Sequence, residues 1–302
     1  MRIEQVRFIP DIMIAGKDYA KIKVRKSEGD IGKEEKELSA HMSLVLTMWR
    51  LDMGISLPAI LDTNTYAVWS SMRRWMNIYD DIIDRDRNYY PSIAELKHHP
   101  LLDGSRASDT TSDLVKITCS VADRERRRSV FKALAEFRGR EYPLNLELSR
   151  ELNNDAGKFN KRVEALKLES SGLAMLYLAR VINIINGIQA ERAELCEIGF
   201  YNLGMSGQYV DDLADFQRDK GDSANLVVNA SQLFPDEYKF LFKQGFSRKA
   251  LRRCQNTLGY IEERCDELTK RIPDPMTHTR RSVEFFADLV PLYAAFETEP
   301  YV

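Results

Sequence analysis

A chain of 302 residues with 44 basic and 46 acidic side chains has a net charge of −2 and enough length for a large core in one or two domains. Its 15 glycines and 10 prolines are about 8% of the chain, against roughly 12% in an average globular protein, which argues against a sandwich or barrel of many short strands. No apolar run reaches the ~18 residues of a membrane helix, the opening MRIEQVRFIPD lacks the apolar stretch of a secretion signal, and no basic block marks a nucleic-acid face.

In chain order, residues 16–40 hold 13 charged side chains without a helical stripe. Residues 1–41 are expected to form a partly mobile N-terminal arm and residues 42–302 a single α-helical domain. A helix is predicted after Asp62, a suitable N-cap, with Trp69, Met72, Met76, Tyr79 and Ile83 at alternating steps of three and four. Further helices are predicted over 108–120, 123–142, 158–186, 191–220, 235–244, 247–270 and 279–296. Pro91, Pro100, Pro143, Pro235, Pro273 and Pro275 are expected between helices as punctuation. Arg124, Arg126, Arg127 and Arg128 read as a solvated helix face. The four cysteines form no C-x-x-C pair, and Cys254 and Cys265 fall in an apolar stripe with Leu251, Leu258, Ile261 and Leu268. A reducing cytoplasm is the expected compartment. The fold class expected from these patterns is all-α, a single-domain helical bundle.

Two acidic clusters stand out. Asp80-Asp81-Ile82-Ile83-Asp84 places Asp80 and Asp84 one turn apart on one helical face, where like charges want a counter-charge. Arg85 and Arg87 could supply part of it, and so could a divalent cation. Asp211, Asp215 and Asp219 recur at i, i+4 and i+8 with Asp212 beside them, so a continuous helix would align three carboxylates. Oxygen-only ligand sets of this kind suit hard cations such as Mg²⁺. His41, His98, His99 and His278 have no metal-site spacing with these acids. Gly204 and Gly207 lie on the same helical face as Asp211. Each costs roughly 1 kcal/mol in a helix relative to Ala, so the face serves either close helix packing or an open surface for a ligand. Gly221 is expected to cap the helix that carries the second cluster.

The stretch Asp211-Asp212-Leu213-Ala214-Asp215-Phe216-Gln217-Arg218-Asp219, followed by Gly221-Asp222 and Asn225-Leu226-Val227, resembles the second metal motif of the class I terpene synthases. That motif reads N/D-D-x-x-S/T/D-x-x-K/R-E/D, then G-D and N-L-V. Asp80 to Asp84 resembles the aspartate-rich first motif of the same family, and the two occur in the expected order. The likeness spans roughly residues 60 to 296. A weaker match, Lys167-Leu168-Glu169-Ser170-Ser171-Gly172, is similar to the family's diphosphate-sensing Arg with its small polar residue and helix break, with Lys in the Arg position. Lys is a point charge where Arg is a bidentate fork, so Lys167 or Arg162 is the candidate sensor. The Arg-Tyr pair of the family's C-terminal region is missing, and Arg280 or Arg281 is the candidate substitute. Asp211, Asp215 and Asp219 are also similar to the D-x-x-x-D-x-x-E-D pattern of a bacterial subgroup that includes the tetraprenyl-β-curcumene synthases.

The resemblance implies a class I isoprenoid-synthase bundle with a central cavity. It also implies three Mg²⁺ bridging the acidic clusters to the diphosphate of a C15 or C20 prenyl substrate, and cyclisation of the resulting cation to a hydrocarbon or alcohol. Asp80, Asp84, Asp211, Asp215 and Asp219 are the implied metal ligands, with Asp81 assisting. Lys167, Arg162, Arg218, Lys220, Arg281 and Tyr79 are the candidate substrate contacts. Trp69, Trp75, Tyr177, Tyr209, Phe285, Phe286 and Tyr293 serve either as cation-stabilising wall or as ordinary core. A homodimer is one expected assembly.

Cyclisation is expected ahead of chain elongation by a trans-prenyltransferase of the same fold. Gln208-Tyr209-Val210-Asp211-Asp212 looks like that family's second motif, but R-R-G after the first motif and an N-terminal G-K-x-R-P are missing. Head-to-head condensation is a further variant. A non-catalytic helical binding protein with solvated acidic faces is the alternative from another class.

Overall fold

The computed structural model describes residues 45–56, positions 65, 68, 69, 71, 72, 75 and 76, and residues 114–154, 158–219 and 221–295. The expected N-terminal arm and the first acidic motif lie outside these residues. Among the described residues there is no strand. Helical residues 45–53 and 114–119 precede α1 (Arg124–Asn154), α2 (Lys161–Asn186), α3 (Ala190–Asp215), α4 (Leu226–Ser231), α5 (Pro235–Gln244), α6 (Arg248–Leu251), α7 (Gln255–Lys270) and α8 (Thr277–Ala295).

The central layer is α2 between α1 and α3, with α7 and α8 closing the other side of α3. Helix α2 starts at Asn160, whose side chain accepts from the backbone N–H of Arg162 and Val163, and stops at Gly187 with φ 62°. Asn at the N-cap and a left-handed Gly after the last turn are the start and stop signals expected of such a helix. By length and composition α2 could cross a membrane, but 56% of its most apolar stretch is buried against its neighbours, as befits a core helix. Trp49, Trp69, Phe137, Tyr177, Phe200 and Tyr209 are fully buried in the core, each contributing about 1.5–3 kcal/mol of transfer free energy. Trp69, Trp75, Tyr177 and Tyr209 therefore pack as core.

Two predicted boundaries are corrected. Pro143 lies inside α1, which runs on to Asn154. The positions Val130, Ala133, Phe137, Glu141, Asn145 and Ser149 are all buried at steps of three and four. That continuous buried stripe outweighs the roughly 3 kcal/mol that an internal proline costs a helix. The predicted helix over 247–270 divides into α6 and α7. Arg253 and Cys254 donate to the carbonyls of Ala250 and Leu251 in a tight turn, and Glu237 of α5 caps α7 by accepting from Asn256 N at 3.0 Å and Thr257 N at 2.9 Å. The short helix α4 was not anticipated.

Chain-distant capping ties the first described helix to the last. The buried carboxylate of Asp52 accepts from the backbone N–H groups of His278 at 2.8 Å and Thr279 at 3.0 Å, and from Thr279 Oγ1 at 2.7 Å. Trp49 Nε1 donates to Asn183 Oδ1 at 2.8 Å.

The cysteines yield a direct check of packing. Cys119 is exposed, whereas Cys196, Cys254 and Cys265 are buried, and burial pushes their thiols up to about 12, 12 and 11. A thiolate is the reacting species. Ellman titration at pH 8 should therefore find one fast thiol in the folded protein and four after guanidinium unfolding. More than one fast thiol in the native protein would contradict this packing.

Candidate active site

The second acidic motif sits at the C-terminal end of α3 and in the turns beyond it. Asp211 and Asp215 lie one turn apart in the helix, which stops at Asp215. The predicted helix over 191–220 is thus five residues too long, and Asp219 is not on it. Asp219 follows in a chain of turns, its N–H donating to the Asp215 carbonyl at 2.9 Å. The helix cap is Phe216 rather than Gly221, which instead takes φ +91° in the turn, where an added Cβ would strike the Phe246 ring.

Asp211 is exposed and Asp215 and Asp219 are half-buried. Partial burial raises the Asp215 carboxyl above its usual range, and the neighbouring charge of Asp211 pushes the same way. Arg218 relieves part of this: its guanidinium reaches Asp215 Oδ2 at 2.5 Å and Asp219 Oδ1 at 3.6 Å. Crowded carboxylates offering oxygen alone have the donor chemistry of a hard-cation site. Among the described residues no three His, Cys, Asp or Glu side chains are grouped so as to hold a metal ion. Asp80, Asp81, Asp84, Tyr79 and Lys220, expected around this row, lie outside the described residues.

Asp212 has a different role from its neighbours. It is buried, and burial raises its carboxyl above the ordinary range despite the opposing pull of Lys167. Lys167 Nζ lies 3.3 Å from Asp212 Oδ1, Gln208 Nε2 donates to the same oxygen at 2.7 Å, and Leu226 N donates to Oδ2 at 2.6 Å. Ser171 in turn hydrogen-bonds Gln208. Lys167 is therefore brought to the motif through its ion pair with Asp212. Arg162 is turned toward α1, where its Nε donates to Glu147 at 2.7 Å. Arg280 is engaged with the Ile272 carbonyl and Asp274, and Arg281 is exposed on α8.

Of the two glycines just before the motif, Gly204 resolves in favour of packing and Gly207 does not. A Cβ on Gly204 would run into the Ser171 carbonyl oxygen and would meet Met175 at 2.8 Å, so α2 and α3 touch backbone to backbone there. Gly172, expected to break a helix, lies within α2 and is covered by Tyr201. At Gly207 the nearest atom is on Phe286, 3.8 Å away.

Sequence reasoning missed a buried polar junction one turn from the acids. Tyr209 donates to Glu164 Oε1 at 2.6 Å and Tyr260 to the same oxygen at 2.9 Å, with Arg264 Nε at 4.0 Å. Burial and then the Glu164 charge push the Tyr209 phenol far above its usual range, so it stays a donor. This junction ties α2, α3 and α7 together immediately before Asp211. Glu164 sits among Arg162, Glu169 and Lys167 in sequence, and nothing local distinguishes it from a solvated acid.

No protein-family model matches the chain, and no curated protein matches it. Among solved structures, the chain is similar to the apo form of an Arabidopsis medium/long-chain length prenyl pyrophosphate synthase. The TM-score is 0.57 at 12% identity, covering 93% of this chain and 98% of that one. The fold is thus the all-helical fold of an isoprenyl synthase.

Proposed function

We propose that the chain is an isoprenoid-diphosphate enzyme that ionises an allylic prenyl diphosphate and transfers the prenyl group to a second isoprenoid unit. One observation carries the reading. A carboxylate row at the end of α3, with Lys167 behind it and Arg218 across it, is set in a fold similar to a prenyl pyrophosphate synthase over 93% of the chain. The reading places prenyl transfer ahead of cyclisation, reversing the order expected from the motifs.

Mg²⁺, when bound, would supply Lewis acidity to the departing diphosphate. Asp211, Asp215 and Asp219 would hold it from the α3 side, with Asp80 and Asp84, assisted by Asp81, as candidates for the facing half. Arg218 and Lys220 would contact the diphosphate oxygens, and Lys167 would add positive charge close by, so that charge developing on the leaving group meets fixed cations. The C–O bond of the allylic diphosphate breaks, a C–C bond forms to the acceptor alkene, and a proton is lost from it.

Cyclisation is the second reading. It is supported by the run from Asp211 through Asn225-Leu226-Val227, since Asn225 is hydrogen-bonded to Asp219 at 2.9 Å and so belongs to the motif in space as well as in sequence. The purified protein should be incubated with C10, C15, C20 and C25 prenyl diphosphates and Mg²⁺, with and without isopentenyl diphosphate. Prenyl transfer predicts a longer prenyl diphosphate that forms only when isopentenyl diphosphate is added and disappears in EDTA. A hydrocarbon or alcohol formed without it would replace this reading with cyclisation. No product, together with no thermal stabilisation by Mg²⁺ and inorganic diphosphate, would leave a non-catalytic helical binding protein.

A further inference from the structure

The turns after α3 converge on one buried amide. Asn225 is 1% exposed. Its side-chain oxygen caps α4 by accepting from Val227 N at 3.0 Å and Val228 N at 3.2 Å. Its side-chain nitrogen donates to the Asp212 backbone carbonyl at 2.7 Å and to Asp219 Oδ2 at 2.9 Å. Two donated and two accepted bonds fill the capacity of the amide, which fixes its rotamer. From the other side, the Asp212 carboxylate accepts from Leu226 N at 2.6 Å. The end of α3 and the start of α4 are thereby stapled at adjacent residues.

Asp219 depends on that staple. It lies beyond the last residue of α3, so the helix does not set its direction. Its bond from Arg218 runs 3.6 Å to a side chain that is 74% exposed, the kind of surface pair that contributes little. The buried donor to Asp219 is Asn225. Asp212, by contrast, has both carboxylate oxygens engaged by Lys167, Gln208 and Leu226, which occupies it as an anchor.

We infer that Asn225 is a positioning residue that aims Asp219 at the proposed cation half-site, and that Asp212 anchors this clamp instead of ligating the cation. The inference rests on the isoprenoid-diphosphate reading. Groups held in advance by a supporting hydrogen-bond shell bind their ligand without a further ordering cost, and loss of such support typically weakens metal binding about 10–100-fold.

The test is a thermal-shift titration of Mg²⁺ in the presence of inorganic diphosphate, with circular dichroism to verify folding. Asn225→Asp retains a capping oxygen, since Asp caps helices as well as Asn, but it removes the donor and sets a second carboxylate against Asp219. Asn225→Ser also retains a capping oxygen without the added charge, and covers the case in which Asn225→Asp does not fold. Both variants should need about 10–100-fold more Mg²⁺ for half-maximal stabilisation. Asp219→Asn should show a similar rise, and the Asn225→Ser/Asp219→Asn double variant no further rise. A wild-type midpoint in a folded Asn225 variant, or rises that multiply in the double variant, would overturn the positioning role. A wild-type protein that ignores Mg²⁺ and diphosphate would instead overturn the reading on which the role depends.

Discussion

Replacing Asp215 with Ala should lower turnover of a prenyl diphosphate by about 10³-fold while leaving the circular dichroism spectrum unchanged. The two halves of this expectation come from different physics. On the proposed reading, Asp215 is the central carboxylate of the row, and a bound cation stabilises the transition state by several kcal/mol. Loss of about 4 kcal/mol of that stabilisation corresponds to about 10³-fold in rate. Stability should hardly change, because the side chain is 30% exposed and its ion partner Arg218 is 74% exposed, and such pairs contribute about 0–1 kcal/mol. Removing the charge also relieves repulsion from Asp211 and Asp219. Steady-state kinetics at saturating Mg²⁺ measures the first half and a melting curve the second. A folded Asp215→Ala variant within 10-fold of wild-type turnover would remove Asp215 from the machinery.

Gly204→Val should be the most damaging single substitution in the helix that carries the site, costing about 3 kcal/mol or more. The added Cβ would collide with the backbone carbonyl of Ser171 and press on Met175 at 2.8 and 2.9 Å. Met175 can turn aside, but the carbonyl cannot move without parting α2 from α3. Overpacking of that sort costs typically 1–3 kcal/mol, and β-branching in a helix adds to it. At about 2–4 °C per kcal/mol for a domain of this size, the melting temperature should fall by about 6–12 °C. Gly207→Ala is the matched control: its new methyl would meet Phe286 at an ordinary 3.8 Å, and better helix propensity should offset any cost. Equal melting temperatures for the two variants would contradict the backbone contact at Gly204.

Much of the helical layout was legible because local signals and burial agreed. Pro235 and Gly245 bracket α5, and Asn160 and Gly187 bracket α2, so each sequence cue coincides with a real end. Legibility failed where two principles competed. At Pro143 the local signal for an end lost to a buried stripe that continues on both sides. At Arg252 to Cys254 the opposite happened: Leu251, Cys254, Leu258 and Ile261 are all buried, so their steps of three and four conceal the turn that divides α6 from α7. The acidic row was legible as a motif, because Asp at steps of four is visible in one dimension. Its geometry was not, since α3 ends at Asp215 and Asp219 owes its place to Asn225 in the next turn. The Glu164 junction was invisible for a different reason. Its partners Tyr209 and Tyr260 are 45 and 96 positions away, and no local pattern encodes such distances.

The capping of α8 by Asp52 has a consequence for the order in which the protein is made. His278, whose backbone N–H that carboxylate receives, lies 226 positions downstream. At about 5–20 residues per second of ribosomal elongation, the two are separated by roughly ten to forty-five seconds of synthesis. For that interval the helix at 45–53 is out of the exit tunnel while Met48, fully buried in the finished fold and hydrogen-bonded by Ser282 of α8, lacks that cover. The nascent chain must hold this apolar side chain in a provisional association, with itself or with a chaperone, until the final helix arrives to close the loop.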